Sequence, residues 1–229
     1  MTALRAVLFD LDGTLYHQSP VRKRMAIELG LFLLRSPFRG PKTVRGISVF
    51  RKLREDLREL GQAEESLEEL QYTHPAAEAG LDADRLRKDV EEWMIRRPLP
   101  FVAANARKEL SQVLEGLRSR GLELGVYSDY PVREKLEAMG CRSFFSLELC
   151  STDAEINAFK PHPRGFLHAC ERWGLQPEEV LFVGDREDVD AGGARNAGMP
   201  CGLVGADESG STTGTPTFPT LRALVDAMT

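Results

Sequence analysis

The segment VLFDLDGTLY, residues 7–16, restricts this chain more than any other. The apolar run Ala6–Phe9 suits a short buried strand better than a helix. It runs straight into two carboxylates, Asp10 and Asp12, with a Gly-Thr pair directly behind them. A strand that ends in two anions two residues apart needs something beside them to take up the charge.

Four further apolar segments read as buried strands: 122–127, 144–149, 180–183 and Cys201–Val204. They alternate with helical patterns at 107–118, 132–139, 165–173, 189–197 and Leu221–Ala227. Such alternation implies parallel pairing with helices on both faces, an α/β fold with a doubly wound (Rossmann-like) sheet. Between residues 17 and 100 no strand pattern appears. Charged amphipathic patterns at 22–34, 47–60, 66–72 and 82–94 take its place, with Ser66 and either Asp82 or Asp84 in N-cap positions. The expected organisation is therefore a core domain of residues 1–16 and 101–229 with an inserted α-helical cap domain, 17–100, hinged at HQSP and RRPLP. The stretch GADESGSTTGTPTFP reads as a mobile loop before a last helix.

Composition narrows the function. With 229 residues, 42% hydrophobic and 28% charged, the chain reads as an ordinary soluble globular protein. Its net charge of −5 argues against nucleic acid or an anionic membrane as partner. No apolar run approaches the roughly 18 residues that span a bilayer, and Asp10 and Asp12 interrupt any signal-peptide pattern. Cys141, Cys150, Cys170 and Cys201 form no CxxC pair, so reduced thiols in a cytoplasmic protein are expected.

Open α/β sheets bind ligands beyond the carboxyl ends of their strands. There the sequence places Asp10 and Asp12, then Ser128 and Asp129, then Lys160 in FKPHP, then GDREDVD with Asp185, Asp188 and Asp190. Several carboxylates on one low-dielectric rim need raised pKa values or a cation. Mg²⁺ suits this inventory, since it takes one or two carboxylates, waters and a phosphate oxygen. A carboxylate is ionised near neutrality and needs no base to act as a nucleophile. A second carboxylate can protonate a leaving oxygen and later deprotonate water. Lys160 can neutralise charge on the attacking and phosphoryl oxygens, and the Ser128 hydroxyl can donate to one of them.

These four motifs, in this order, resemble the haloacid dehalogenase superfamily, whose members are mostly phosphatases. The resemblance covers residues 5–15 and 109–228, while the insertion matches only in position. It implies Asp10 as nucleophile, Asp12 as general acid/base, Ser128 and Lys160 at the second and third motifs with Asp129 on the substrate side, and Asp185 at the fourth. It further implies a metal held by the Asp10 carboxylate, the Asp12 main-chain carbonyl and the Asp185 carboxylate. Dehalogenases of the superfamily lack an acid at the position of Asp12, so Asp12 points to phosphate esters. Asp129 stands where many relatives carry Asn.

Plainer readings compete with each residue. Asp10 and Asp12 could cap a turn, Asp185 could be a loop acid, Lys160 a solvated lysine, and Ser128 a partner for a strand-end backbone group. All four motifs in order outweigh these readings. The histidines His17, His74, His162 and His168 show no metal-ligand spacing, and Arg22-Lys23-Arg24 reads as a solvated helix face rather than a substrate contact. The sequence does not separate Asp188 from Asp190. The expected activity is Mg²⁺-dependent hydrolysis of a small phosphorylated metabolite through an aspartyl-phosphate. A phosphosugar mutase of the same fold and a non-catalytic phospholigand-binding protein are the alternatives.

Overall fold

The computed structural model describes residues 3–61, 64–205 and 214–228. From β1 (Ala6–Phe9) the chain enters five helices: α1 (Gln18–Arg35), α2 (Gly40–Leu60), α3 (Leu67–Ala79), α4 (Ala83–Val90) and α5 (Leu99–Ala104). It returns through α6 (Leu110–Ser119) to β2 (Glu123–Ser128), α7 (Arg133–Ala138) and β3 (Leu147–Cys150). Then follow α8 (Arg164–Trp173), β4 (Val180–Gly184), α9 (Gly192–Asn196), β5 (Cys201–Val204), β6 (Thr217–Phe218) and α10 (Leu221–Ala227).

The six strands form one parallel sheet in the order β3-β2-β1-β4-β5-β6. Ala6 stands in register with Glu123 on one side and Val180 on the other, so β1 is central. A central parallel strand buries both faces, which explains why Ala6–Phe9 is apolar throughout rather than alternating. Val7 and Phe9 pack with apolar side chains of α6, α7 and α10, while Ala6 and Leu8 pack with those of α8 and α9. The chain winds outward from β1 to β3, then crosses back to β4 on the other side of β1. The order reverses there, and a crevice opens beyond the carboxyl ends of β1 and β4.

The helices inserted between β1 and β2 share a small core of Phe50, Ala76, Leu86 and Val90. A second cluster joins Leu57 and Leu67 to Phe159, which is adjacent in sequence to Lys160. Asp82 is the residue that caps α4, its carboxylate accepting the Arg85 N–H at 3.1 Å. Ser66 occupies the N-cap of α3 without a capping side-chain bond.

Several boundaries differ from the sequence reading. Residues Arg142–Phe144 form a short 3₁₀ turn, and the strand expected over 144–149 is Leu147–Cys150. β6 lies within the stretch expected to be a loop, and its two residues are too few to show a period. Residues 206–213 of that stretch lie outside the described residues. The two expected hinges are helix starts: His17 precedes α1, and Pro98 and Pro100 sit in the cap and first turn of α5, where a missing N–H costs nothing. The helix expected over 189–197 opens with a wide π turn, Glu187–Ala191. Among the described residues no helix is long and apolar enough to cross a membrane.

Candidate active site

Asp10 directly follows β1, and its N–H donates to the Val183 carbonyl at 2.8 Å, extending the pairing with β4. Its side chain is buried. One carboxylate oxygen accepts from Lys160 Nζ at 2.6 Å and the other from the Thr14 hydroxyl at 3.3 Å. Lys160 Nζ also donates to Asp190 at 2.7 Å. The second oxygen of Asp190 accepts the backbone N–H groups of Asp185 and Arg186, both at 3.1 Å, and so shapes the loop after β4. Burial alone would lower the Lys160 pKa, but Asp10, Asp190 and Asp129 outweigh it and hold the ammonium well above its ordinary range. The structure separates the two acids that the sequence left open. Asp190 is buried in this network, while Asp188 is exposed and paired with Arg186 at 2.6 Å.

Carboxylate oxygens of Asp10, Asp185 and Asp190 lie within 4.8 Å of one another. Burial raises the Asp10 pKa well above the usual carboxylate range; Lys160 offsets part of this, and Asp190, Asp185 and Asp12 add to it. Burial and the Asp190 charge likewise push Asp185 up to about 7. Asp190 is already committed to Lys160 and two N–H groups, which leaves Asp10 and Asp185 facing each other in need of positive charge. An all-oxygen donor set of this kind fits a hard divalent cation. Gly13 makes the approach possible, since its φ is +104° and a Cβ there would lie 2.0 Å from an Asp185 carboxylate oxygen.

Asp12 faces a different environment. One of its oxygens accepts from the Tyr16 hydroxyl and from Lys135 Nζ, the latter at 2.5 Å. Burial alone would raise its pKa, but the Lys135 charge and these two hydrogen bonds hold the carboxyl below its ordinary value. Ser128 ends β2 with its oxygen accepting the Tyr130 N–H at 3.2 Å. Together with Asp10, Asp12, Lys160 and Asp185 it lines a cavity of about 640 Å³. The far wall comes from α1, α2 and the turn after α4, through Val21, Met25, Ile47, Arg51 and Trp93.

A family model of haloacid dehalogenase-like hydrolases matches residues 4–198. The chain belongs to this family. It is 31% identical to the glyceraldehyde 3-phosphate phosphatase of Methanopyrus kandleri, over 86% of this chain and 82% of that one. It is 30% identical to the phosphoglycolate phosphatase of Shigella boydii, over 86% and 79%. Among solved structures, the haloacid dehalogenase-like hydrolase YfnB from Bacillus subtilis superposes with a TM-score of 0.67 at 18% identity, covering 99% of each chain. A 2-haloacid dehalogenase from Pseudomonas syringae gives 0.65 at 22% identity, covering 98% of each.

In this hydrolase the structure brings Asp10, Asp185 and Lys160 together, with Asp12 and Ser128 on the same cavity. Asp129 lines that cavity too, but its carboxylate is engaged elsewhere. It pairs with Arg58 of α2 at 2.8 Å and accepts from the Ser151 hydroxyl at 2.5 Å. Its main-chain carbonyl accepts from Arg54, whose guanidinium lies over the rings of Tyr130 and Phe159. Burial would raise the Asp129 pKa, yet Arg58, Lys160 and Arg54 keep it lowered. Sequence reasoning missed Lys135, Arg58 and Arg107. Arg107 is buried and donates to the carbonyls of Thr14 and Gly13 at 2.6 and 2.9 Å, pinning the loop after β1. A lysine or arginine among many, within a helix as Lys135 and Arg58 are or just ahead of one as Arg107 is, carries no local signal; only its burial marks it.

Proposed function

We propose that this hydrolase cleaves phosphoric monoesters of a small phosphorylated metabolite, with the phosphoryl group carried transiently on Asp10. The observation that carries the proposal is the Asp10 carboxylate, buried at the open end of β1, with Lys160 at 2.6 Å and Asp185 beside it. An Asp10 oxygen attacks phosphorus and the bond to the ester oxygen breaks. Asp12 gives that leaving oxygen a proton, then takes one from the water that attacks the aspartyl-phosphate, releasing inorganic phosphate. Lys160 offsets charge on Asp10 and on the phosphoryl oxygens, and Ser128 donates to one of them. Mg²⁺, held by the Asp10 and Asp185 carboxylates and the Asp12 main-chain carbonyl, would supply further charge neutralisation on the phosphoryl group.

Residues 17–100 act as a cap over a core of 1–16 and 101–229, closing the leaving-group side of the cavity against water. The similarity to phosphatases of phosphoglycolate and glyceraldehyde 3-phosphate over most of the chain supports the substrate class. Four unpaired cysteines support a cytoplasmic setting.

The test is phosphate release from a panel of phosphorylated metabolites that includes these two, with Mg²⁺ and with chelator. Free phosphate that depends on Mg²⁺ is expected. An isomerised phosphosugar without free phosphate would make the protein a mutase, and undiminished release after exhaustive chelation would remove the metal.

A further inference from the structure

The outer side of α1 has no role in the cavity. Its inner side lines it through Val21, Met25 and Leu29, while Ile27, Leu31 and Leu34 face solvent. The spacing 27, 31, 34 puts them on one helix face, and Phe38 in the turn after α1 extends the stripe. Leu34 and Phe38 are 82% and 90% exposed. Exposed large apolar side chains in one continuous stripe mark an interaction surface. The charge around them is one-sided. Between residues 18 and 52 there are nine lysines and arginines and one acid, Glu28, in a chain of net charge −5. Of these, Arg22, Arg51 and Lys52 line the cavity, Arg39 pairs with Asp89 and Arg45 donates to the Glu78 carbonyl, which leaves Lys23, Arg35 and Lys42 as exposed cations around the stripe. Glu28 is taken up by Arg24 and Arg97. Arg35 and Lys42 flank the stripe and are exposed, with no carboxylate paired to either among the described residues.

We propose that the α1–α2 hairpin docks on an anionic lipid surface, with Ile27, Leu31, Leu34 and Phe38 entering the interface and the flanking basic residues meeting acidic headgroups. With one apolar side turned to the cavity and the other to solvent, α1 would meet such a surface lying in the interface plane rather than spanning the bilayer. Charge decides the occupant. A second copy of the chain would bring one basic face against another. Nucleic acid would satisfy the cations but give exposed aliphatic side chains nothing to enter. An anionic bilayer takes both the apolar stripe and its basic border. The net charge of −5 is a whole-chain sum and averages out this local excess.

Co-sedimentation of the full chain with phosphatidylglycerol/phosphatidylcholine vesicles, and with phosphatidylcholine alone, tests the proposal. Binding to the anionic vesicles is expected, at least about tenfold weaker on neutral ones and reduced by 0.5 M salt, in line with screening over about a Debye length. Arg35→Gln and Lys42→Gln should each weaken it about fivefold, the equivalent of about 1 kcal/mol per basic residue at such a surface. A Leu34→Ser/Phe38→Ser double variant should lose at least about tenfold. These residues lie outside the cavity lining, so hydrolysis of a soluble aryl phosphate without vesicles should be unchanged, which controls for folding. Equal sedimentation with neutral and anionic vesicles, or no sedimentation, would overturn the proposal. So would a dimer in light scattering that the double variant dissociates, since the stripe would then be a subunit interface.

Discussion

Lys135 decides the protonation of Asp12, and Asp12 must change protonation twice in each proposed turnover. The ammonium at 2.5 Å favours the carboxylate, which suits the water-activating step and opposes the proton-donating one. Replacing Lys135 with Met removes that charge, so the Asp12 pKa should rise. The alkaline limb of the kcat/KM profile, where the proton donor is lost, should then move up by about 1 to 3 pH units. Lys135→Arg should restore most of the original profile. A uniformly lower rate with an unmoved limb would mean that Lys135 only packs. That Asp10, Asp12 and Asp185 line one cavity was legible in the sequence because they follow apolar strands directly, beyond the carboxyl ends where such sheets open. Lys135 was not, because REKLEA is an ordinary amphipathic helix until the fold turns that one lysine inward. Asp190 was visible but not distinguishable from Asp188 until a π turn aimed one into the network and the other at solvent.

At the scale of elements, α2 reaches across to the loop after β2. Arg58 pairs with the Asp129 carboxylate and donates to the Lys160 carbonyl at 3.2 Å, tying the inserted helices to the loop after β2 and to the backbone of Lys160. This gives a physical reason for an acid at 129: the carboxylate meets an arginine. Arg58→Ala leaves Asp129 buried without its partner and should cost about 3–5 kcal/mol in urea unfolding. Asp129→Asn keeps an acceptor for Ser151 and should cost about 1–3 kcal/mol. The sign with pH follows from the lowered folded pKa. The Asp129 contribution is fully present above the unfolded value of about 4 and is lost as pH falls through the folded one. The stability gap between wild type and Asp129→Asn should therefore be full at pH 7 and close on acidification; a gap unchanged at low pH would contradict the pairing. The helical character of residues 17–100 was legible from its charge periodicity. Its attachment was not, because long-range ion pairs leave no spacing to read.

At the scale of the whole molecule, the parallel sheet was the most legible feature, since strands buried on both faces read as unbroken apolar runs. β6 and the π turn at Glu187–Ala191 were hidden, being set by contacts rather than by period. The same sheet gathers acids that repel one another. Asp10 and Asp185 have raised folded pKa values, so the folded state binds more protons than the unfolded chain and stability falls as pH rises from about 4 towards the Asp185 value of about 7. A cation in place of those protons should reverse this loss. Mg²⁺ should therefore raise Tm more at pH 7.5 than at pH 5, and an equal rise at both would contradict the acidic site as its location. The central claim is that Asp10 carries the phosphoryl group, and rapid-quench mass spectrometry tests it most directly. Asp12→Asn, mixed with Mg²⁺ and an activated aryl phosphate that leaves without a proton, should be trapped with one added phosphoryl group on the peptide containing Asp10, because water is no longer deprotonated. Asp10→Asn should carry none. A phosphoryl group on Asp10→Asn, or none on either wild type or Asp12→Asn with a substrate that is demonstrably turned over, would contradict it.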